Sequence, residues 1–322
     1  MANSVLILGA NGRLGQSLVR AFLDAGWSVH GQVRRDAPGS ANAEVKWLRI
    51  GLDEPARLAE AARGADVVVH AVNPPYPAWH TQALPLAQSA IATARALNAL
   101  FMFPGNVYSF GAGMPERLTE STAQEPTSRK GRVRVRIEEA LREAARAGLR
   151  TAIVRAGDFY GGPGRGAWFD LIIVKSLQQG KVVYPGRTGV IHAWAYLPDL
   201  ARAFAMVAAQ RAALAVYEVL HFPGHAVDGE ALLRGIERAA RRSGVLGAGV
   251  PLRRAGLPWG LLRAGGLVVP MWRELAEMRY LWDVPHRLSG DRLASLLGPI
   301  PATPLEQALE ETLTNLFPER KA

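Results

Sequence analysis

The stretch VLILGANGRLGQSLVRAF, residues 5–22, constrains the fold of this chain more than any other part of the sequence. Gly9, Gly12 and Gly15 separate a short apolar run from a segment whose apolar residues recur three and four positions apart, as in a helix. Glycine permits a tight turn and a close approach of the backbone to a pyrophosphate, which the free N–H groups of a helix N-terminus then face. The stretch therefore predicts a dinucleotide-binding turn between a strand and a helix, with a purely structural turn as the alternative.

The first half of the chain alternates strand-like and helix-like segments. The predicted strands are SVLIL, WSVHGQV, VKWLRI, ADVVVHAV, ALFMF and RTAIVRAG, and the predicted helices are residues 13–25, DEPARLAEAARG, residues 81–98 and the run that follows Ser128. Such alternation implies right-handed βαβ units. We therefore predict an α/β fold: a doubly wound parallel, Rossmann-like sheet with a smaller, mainly helical C-terminal substrate lobe.

The regular alternation fails after Asp158. FYGGPGRG has the composition of a loop, WFDLIIVKSLQQGK is predicted to be helical, and the tail from His221 is helical and broken by Pro and Gly. We predict a dinucleotide-binding domain over residues 1–158, to which residues 188–220 return. Residues 159–187 and 221–322 then form the substrate lobe.

The 322 residues include no cysteine, which excludes disulfides, thiolate nucleophiles and Cys-ligated metals. This composition fits a reducing compartment, and we expect a cytoplasmic protein without a metal site. The net charge of +10 favours anionic partners in general. However, the arginines are spread along the whole chain and no nucleic-acid-binding signature is present, so we predict no nucleic-acid partner.

The most apolar late stretch is LPWGLLRAGGLVVPMW. It is interrupted by Arg263, two glycines and Pro270, so it is too short and too broken to span a bilayer. We predict a helix of the substrate lobe here, and a helix that lies on a membrane surface is the alternative. The N-terminal MANSVLILGANG lacks the basic region of a signal peptide.

Five further motifs accompany the glycine loop, whose spacing is G-x-x-G-x-x-G. They are DVVVHAVNPP, FPGNVYSFG, IVRAGDFYGGPG, HAWAYLPDLARA and TPLEQALEETL. Together they resemble the short-chain dehydrogenase/reductase superfamily over essentially the whole chain, especially its extended and atypical branches, which include the NAD-dependent epimerase/dehydratase family. The resemblance implies a nicotinamide cofactor, a small-molecule substrate and a homodimer formed through helices beside the sheet.

The end of the second strand decides between NADP and NAD. An NAD site usually carries a carboxylate there, whereas Arg34 and Arg35 stand at this point and Asp36 follows them. Guanidinium groups suit a 2′-phosphate, so we predict NADP over NAD, with an ordinary solvated loop as the alternative reading of the two arginines. The predicted cofactor-binding residues are Gly9, Asn11, Gly12, Arg13, Leu14, Gly15, Arg34, Arg35, Ala71, Val72, Asn73 and Arg134.

The catalytic pair that the resemblance implies is a Tyr followed four residues later by a Lys. None of the seven tyrosines is followed in this way. If Glu138 marks the acidic residue that often follows the pair, Lys130 takes the Tyr position and Arg134 the Lys position. Tyr108, on the loop after the fifth strand, is the substitute acid or else a structural aromatic residue. The predicted catalytic residues are therefore Tyr108, Lys130 and Arg134.

Further polar and aromatic residues are predicted to line the substrate pocket between the lobes. They are His80, Asn106, Asp158, Tyr160, His192 and Tyr196.

Three functions remain open from the sequence. The first is an NADP-dependent oxidoreductase of the atypical extended type, which acts on a small carbonyl or alcohol without the usual Tyr–Lys pair. The second is a non-catalytic, NADP-binding regulator or sensor similar to NmrA-like proteins, and the third is a nucleotide-sugar epimerase or dehydratase.

Overall fold

All six predicted strands pair in parallel within one seven-stranded sheet. A computed structural model describes residues 3–34, 43–247 and 249–318. The strands are β1 Ser4–Leu8, β2 Ser28–Val33, β3 Val45–Arg49, β4 Val67–His70, β5 Leu100–Asn106, β6 Arg117–Leu118, β7 Thr151–Ala156, β8 Asp158–Tyr160, β9 Lys181–Tyr184, β10 Ile191–Tyr196, β11 Tyr217–His221, β12 His225–Asp228, β13 Arg253–Gly256 and β14 Arg287–Leu288. The large sheet has the order β11-β7-β5-β4-β1-β2-β3, which confirms the predicted fold class.

Helices cover both faces of this sheet. They are α1 Arg13–Asp24, α2 Pro55–Ala61, α3 Trp79–Leu97, α4 Arg129–Arg146, α5 Leu197–Ala209, α6 Gly229–Arg242, α7 Trp259–Gly265, α8 Pro270–Glu277, α9 Asp291–Leu297 and α10 Leu305–Leu316. α1 and α5 pack on one face, and α2, α3 and α4 pack on the other. Because both faces are covered, the central strands are continuously apolar: Val67, Val68 and Val69 of β4 are fully buried.

The strand order reverses between β1 and β4. In open α/β sheets, ligands bind at such a switch point, beyond the carboxyl ends of the strands. The glycine loop follows β1, and residues 71–73 follow β4. The fold therefore brings these two predicted cofactor segments to the same edge of the sheet.

The C-terminal part holds a second apolar core rich in aromatic side chains, among them Trp168, Trp194 and Trp282. Small sheets (β12-β10-β8, β13-β9 and β14-β6) and helices α6, α7, α8 and α10 surround it, whereas α9 packs on the core of the large sheet. In the part of the chain that is described, no helix combines the length and the apolar character needed to cross a bilayer.

The segment WFDLIIVKSLQQGK differs from the single helix predicted for it. It forms a short π-helix, Phe169–Ile173, and a 3-10 turn, Leu177–Gln179. The cause is tertiary: the buried Asp170 carboxylate accepts hydrogen bonds from the N–H groups of Gly166 and Ala167 and faces Arg13 at 3.2 Å.

Candidate functional site

The glycine loop is packed so tightly that side chains would not fit. A Cβ atom on Gly15 would lie 2.2 Å from the Gly9 carbonyl oxygen, and one on Gly9 would lie 2.9 Å from Val72 Cγ2. Gly9 also has a φ of +77°, in the left-handed region that favours glycine. Gly12 precedes α1 and no side chain caps the helix, which leaves its first N–H groups directed out of the helix end.

Gln32 supports the loop from β2. Its buried side chain accepts a hydrogen bond from the Gly9 N–H at 3.0 Å and donates one to the Ile50 carbonyl at 2.8 Å. The sequence prediction missed this residue, because a glutamine within a strand carries no local signal of such a role. Gln32 holds Gly9 in place relative to the end of β2.

Arg13 is directed away from open solvent, into a neighbouring loop. Its guanidinium donates to the carbonyls of Gly161 at 2.8 Å and Pro163 at 3.2 Å, and it pairs with Asp170. Burial lowers the pKa of Arg13, and the Asp170 carboxylate opposes this shift. These contacts join the glycine loop to the segment that follows β8, so a direct role of Arg13 in cofactor binding stays a prediction.

The remaining predicted cofactor residues differ in exposure. Leu14 is buried against the core, while Asn11 and Asn73 are exposed near the switch point, with Ala71 and Val72 half-buried between the loops. Arg34 is exposed immediately after β2. Arg35 and Asp36 lie outside the described residues.

Lys130 and Arg134 lie one turn apart on α4, and each contacts an aromatic ring of the segment that runs from the loop after β4 into α3. The Lys130 ammonium is 5.0 Å from the Tyr76 ring centroid, and the Arg134 guanidinium is 4.6 Å from that of Trp79. α4 begins at this point because the Ser128 hydroxyl accepts a hydrogen bond from the N–H of Gly131 at 3.0 Å. The predicted spacing therefore does place two cations on one helix face.

The partners of Lys130 are acidic residues of α8. Its ammonium is 1% exposed and donates to the carboxylate of Glu274, to the Glu274 carbonyl at 3.0 Å and to the Glu277 carboxylate at 3.0 Å. Arg129 contacts the same two carboxylates. We call these four side chains the α4–α8 ion cluster. All three N–H donors of Lys130 have acceptors within it.

Arg134 has a different environment. It donates to the Pro104 carbonyl at 3.2 Å, and its Nε lacks a hydrogen-bond partner among the described residues. Burial lowers the pKa of Arg134, and the neighbouring Tyr108 and Glu138 oppose this shift. A guanidinium does not exchange protons at working pH, so Arg134 is suited to binding a polar group.

A chain of hydrogen bonds runs from the loop after β4 into the C-terminal part. The Tyr76 and Tyr108 hydroxyls are 3.2 Å apart, and the Tyr108 hydroxyl donates to Asp158 Oδ1 at 3.4 Å. Asp158 Oδ2 lies 3.0 Å from His192 Nε2, and His192 Nδ1 lies 3.2 Å from the Leu281 carbonyl oxygen. We refer to Tyr108, Asp158 and His192 as the buried relay.

The protonation state of the relay follows from its acceptors. A carbonyl oxygen can only accept, so Nδ1 of His192 carries a hydrogen. The other nitrogen faces a carboxylate oxygen, and that contact requires a second hydrogen between the two atoms. The geometry is therefore that of a hydrogen bond between Nε2 of His192 and the Asp158 carboxyl group.

The hydroxyl at the end of the relay is kept protonated. Burial raises the pKa of Tyr108 well above its usual value, and Tyr76 and Asp158 add to the effect. Burial also raises the pKa of Tyr76 to about 12, with a contribution from Asp158. A neutral phenol can give a proton but cannot readily take one, so this site is suited to an acid.

His192 is held by stacking as well as by hydrogen bonds. Its ring is nearly parallel to the Trp282 indole, at 10° with centroids 4.4 Å apart, and His286 contacts it edge-on at 4.6 Å. The imidazole is 1% exposed. These two ring contacts fix the orientation of the His192 imidazole that its hydrogen bonds to Asp158 and Leu281 require.

Other predicted substrate residues lie apart from the relay. The Tyr160 hydroxyl bonds to His225 Nδ1 at 2.9 Å, and the Tyr196 hydroxyl donates to Glu311 at 2.5 Å. His80 is exposed near the start of α3, and Asn106 accepts a hydrogen bond from the Tyr108 N–H at 3.1 Å. The structure therefore brings Asn106, Asp158 and His192 to Tyr108. The other three lie elsewhere, and substrate contact by any of the six stays a prediction.

Comparison with known proteins identifies the family of the chain. The model of the NAD-dependent epimerase/dehydratase family matches residues 5–221, which include the glycine loop, α4 and the relay. A search of curated proteins gave no significant match.

Solved structures of similar fold cover nearly the whole chain. MoeE5 in complex with UDP-glucose and NAD has a TM-score of 0.73 and 19% identity, with 97% of both chains covered. The UDP-Glc/GlcNAc 4-epimerase of Campylobacter jejuni has a TM-score of 0.72 and 15% identity, covering 98% of this chain and 99% of its own. TunA, an NAD-dependent NDP-hexosamine 5,6-dehydratase of tunicamycin biosynthesis, has a TM-score of 0.73 and 16% identity, with 99% of both chains covered. At these identities, the likeness shows the fold.

Proposed function

The chain belongs to the NAD-dependent epimerase/dehydratase family, and from that membership we propose that it is an NADP-dependent oxidoreductase that reduces a small carbonyl compound. The observation that carries this proposal is the buried relay. It links a protonated phenol, Tyr108, to the proton held between Asp158 and His192. A regulator that only binds a cofactor would not require such a buried chain of proton-exchanging groups.

The residues around the switch point fit a dinucleotide. Side chains at Gly9 and Gly15 would fill the space of the turn, and the uncapped start of α1 offers N–H groups to a pyrophosphate. We assign the cofactor to these glycines with Asn11, Leu14 and residues 71–73, and Arg134 to a ribose hydroxyl through its unpartnered Nε. When bound, the nicotinamide supplies the hydride.

In this proposal, Tyr108 acts as the acid. Its hydroxyl gives a proton to the substrate oxygen, which becomes an alcohol, and the proton in the Asp158–His192 bridge restores the phenol. The buried Tyr108 phenol is neutral, so it carries the proton that the substrate oxygen requires in this proposal. In this proposal, Lys130 has a structural role, because its ammonium pairs with Glu274 and Glu277 in the α4–α8 ion cluster.

Substrate access requires movement of the loop after β4. Tyr108 is only 5% exposed, and the hydroxyl of Tyr76 lies 3.2 Å from its own. A substrate oxygen would take the place of the Tyr76 hydroxyl at Tyr108. Tyr76 therefore marks where the reacting oxygen binds.

The choice of NADP rests on the residue directly after β2. Arg34 stands there, exposed, where a carboxylate would favour an unmodified ribose. Equilibrium binding of NADPH and NADH to the wild type and to Arg34→Ser tests this preference. The expected result is tighter NADPH binding that is weakened in the variant, while NADH binding stays unchanged.

Loss of NADPH absorbance with a panel of small aldehydes and ketones tests the oxidoreductase proposal. Turnover of at least one compound supports it. Tight cofactor binding without turnover of any compound favours the regulator. Conversion of a UDP-sugar without net cofactor consumption favours the epimerase chemistry, for which MoeE5 with its UDP-glucose and NAD is the structural parallel.

A further inference from the structure

The hairpin formed by α7 and α8 presents apolar side chains to solvent. Leu267 is 91% exposed, Val268 84% and Leu261 60%, and Val269 and Met271 are also exposed. These five are the majority of the eight most exposed large apolar side chains among the described residues. An apolar patch of this kind on a solvent-exposed surface indicates a binding site for another molecule or for a membrane.

The hairpin and the segment before it carry mainly positive charge. Residues 253–273 contain four arginines and no Asp or Glu. Arg254 pairs with Glu230 of α6 at 2.8 Å, and Arg273 lies 3.8 Å from Glu274. Arg253 and Arg263 are exposed, and the Arg273 side chain is 56% exposed. The next acidic residues, Glu274 and Glu277, point inward to the α4–α8 ion cluster. The outer surface of the hairpin therefore combines apolar side chains with positive charge.

The inner face of the hairpin is fixed to the rest of the protein. The Trp259 indole N–H donates to the Pro185 carbonyl at 2.6 Å, and Leu262 is buried. Gly265 lies against the Trp272 ring, so closely that a Cβ there would be 2.3 Å from it. Since the inner face is held by these contacts and by Glu274, the exposure of Leu267 and Val268 belongs to the folded hairpin.

We propose that this hairpin binds the surface of an anionic phospholipid bilayer. Leu261, Leu267 and Val268 enter the interfacial region, and the arginines contact lipid phosphates. Interfacial segments of soluble proteins combine an apolar face with Lys or Arg in this way, and each cation near an anionic leaflet strengthens binding. A two-fold contact between copies through the same patch would instead bring like-charged arginines together.

Sedimentation of the full chain with vesicles tests the proposal. Phosphatidylcholine vesicles are compared with vesicles that also contain phosphatidylglycerol. We expect stronger binding to the anionic vesicles, reduced by high salt. The double variant Leu267→Glu/Val268→Glu is expected to lower the partition coefficient by roughly tenfold or more.

Two single variants are compared as well: Val268→Glu, within the hairpin, and Val216→Glu, its matched control. Val216 is an exposed valine, 52% accessible, outside the hairpin, so the chemical change is the same. Val216→Glu should bind vesicles as the wild type does. NADPH affinity is measured for every variant, and an affinity equal to that of the wild type shows that the variant is folded. Absence of vesicle binding by the wild type overturns the proposal, as does equal binding by the double variant. A different result would identify a second copy of the chain as the partner of the patch. In that case the wild type binds no vesicles and is a dimer in gel filtration, and the double variant is a monomer.

Discussion

Nε2 of the His192 imidazole lies 3.0 Å from Asp158 Oδ2, inside the protein and one hydrogen bond from the Tyr108 phenol. Nδ1 of the same ring lies 3.2 Å from the Leu281 carbonyl oxygen, so the imidazole has a polar partner on each side. The Tyr–Lys pair that the resemblance implies is absent from this chain. Burial keeps the Tyr108 phenol neutral, with its pKa well above the usual value.

Replacement of Tyr108 by Phe should lower kcat by about 10²- to 10⁴-fold, the range expected for loss of a general acid. Cofactor affinity should stay within about twofold of the wild type, because the glycine loop is untouched. Stopped-flow or steady-state loss of NADPH absorbance measures the rate. Tyr196→Phe is the matched control, since it removes a hydroxyl of equal type that bonds to Glu311 outside the relay. Equal activity of the two variants would exclude Tyr108 as the acid.

His192→Gln should lower the rate of the reaction. The amide cannot pass a proton to Tyr108 through Asp158, so kcat is expected to fall by about tenfold or more. Asp158→Asn should also lower kcat, with KM for the cofactor unchanged. Steady-state loss of NADPH absorbance measures both variants. A kcat equal to that of the wild type in His192→Gln would give His192 a purely structural role.

Gly15→Ala should reduce both stability and cofactor binding. Its Cβ would lie 2.2 Å from the Gly9 oxygen and 2.8 Å from Ala10 Cα, so the turn must open. Overpacking of this kind costs about 1–3 kcal/mol of the free energy of unfolding. Denaturant titration and NADPH binding measure the two effects. Gly113→Ala is the control, because nothing lies within 4 Å of its Cβ position. If both substitutions are equally tolerated, the turn is not as tight as described.

The α4–α8 ion cluster should contribute strongly to stability. Lys130→Met leaves the carboxylates of Glu274 and Glu277 without their buried cation, which is expected to cost about 3–5 kcal/mol. Glu274→Gln alone should also destabilise. The double variant should cost less than the sum of the two by about 0.5–3 kcal/mol, as measured by a double-mutant cycle in urea. Strict additivity would show that the two side chains do not interact.

Stability should fall in mild acid because three histidines are buried in the neutral form. Burial, together with neighbouring positive groups, lowers the pKa values of His70, His221 and His286 to about 3. The unfolded chain takes up protons near the ordinary value of about 6.5, whereas the folded chain does not. Stabilisation by neutral histidine is therefore complete above about pH 6.5 and is lost progressively as pH falls towards 3, by about 1.4 kcal/mol per pH unit for each residue.

Urea unfolding between about pH 6.5 and 5 measures this slope, in a range where most carboxylates stay ionised. His221→Gln should reduce this slope by the contribution of one proton, because the variant lacks the buried neutral imidazole. An unaltered slope in His221→Gln would show that His221 does not resist protonation in the folded protein.

Local pattern was sufficient to predict the sheet. The apolar runs became β1 to β5 and β7, and Gly9 of the predicted turn lies against Ala71 and Val72. The turn could be predicted because its conformation depends on its own sequence. The 3.6-residue spacing also placed Lys130 and Arg134 on one face of α4. The seventh strand, β11, was not predicted, since a short edge strand of mixed polarity gives a weak signal.

The partners across the site could not be predicted in the same way. A catalytic role of Lys130 stays a prediction, but its ion-pair partners could not be predicted because they lie 144 and 147 residues further along the chain. The contact of Tyr76 with Tyr108 was also not predicted, because it depends on how the loop after β4 folds back. Such contacts arise from tertiary packing, which no short window of sequence contains.

The order of these parts along the chain has a consequence for biosynthesis. The glycine turn, Gln32 and Val72 are all encoded within the first quarter of the sequence, whereas the relay is incomplete until the carbonyl of Leu281 is in place. In the function proposed above, the segments assigned to the cofactor thus leave the ribosome long before the last partner of the relay. C-terminally truncated chains that lack Leu281 are then expected to be unable to consume reducing equivalents.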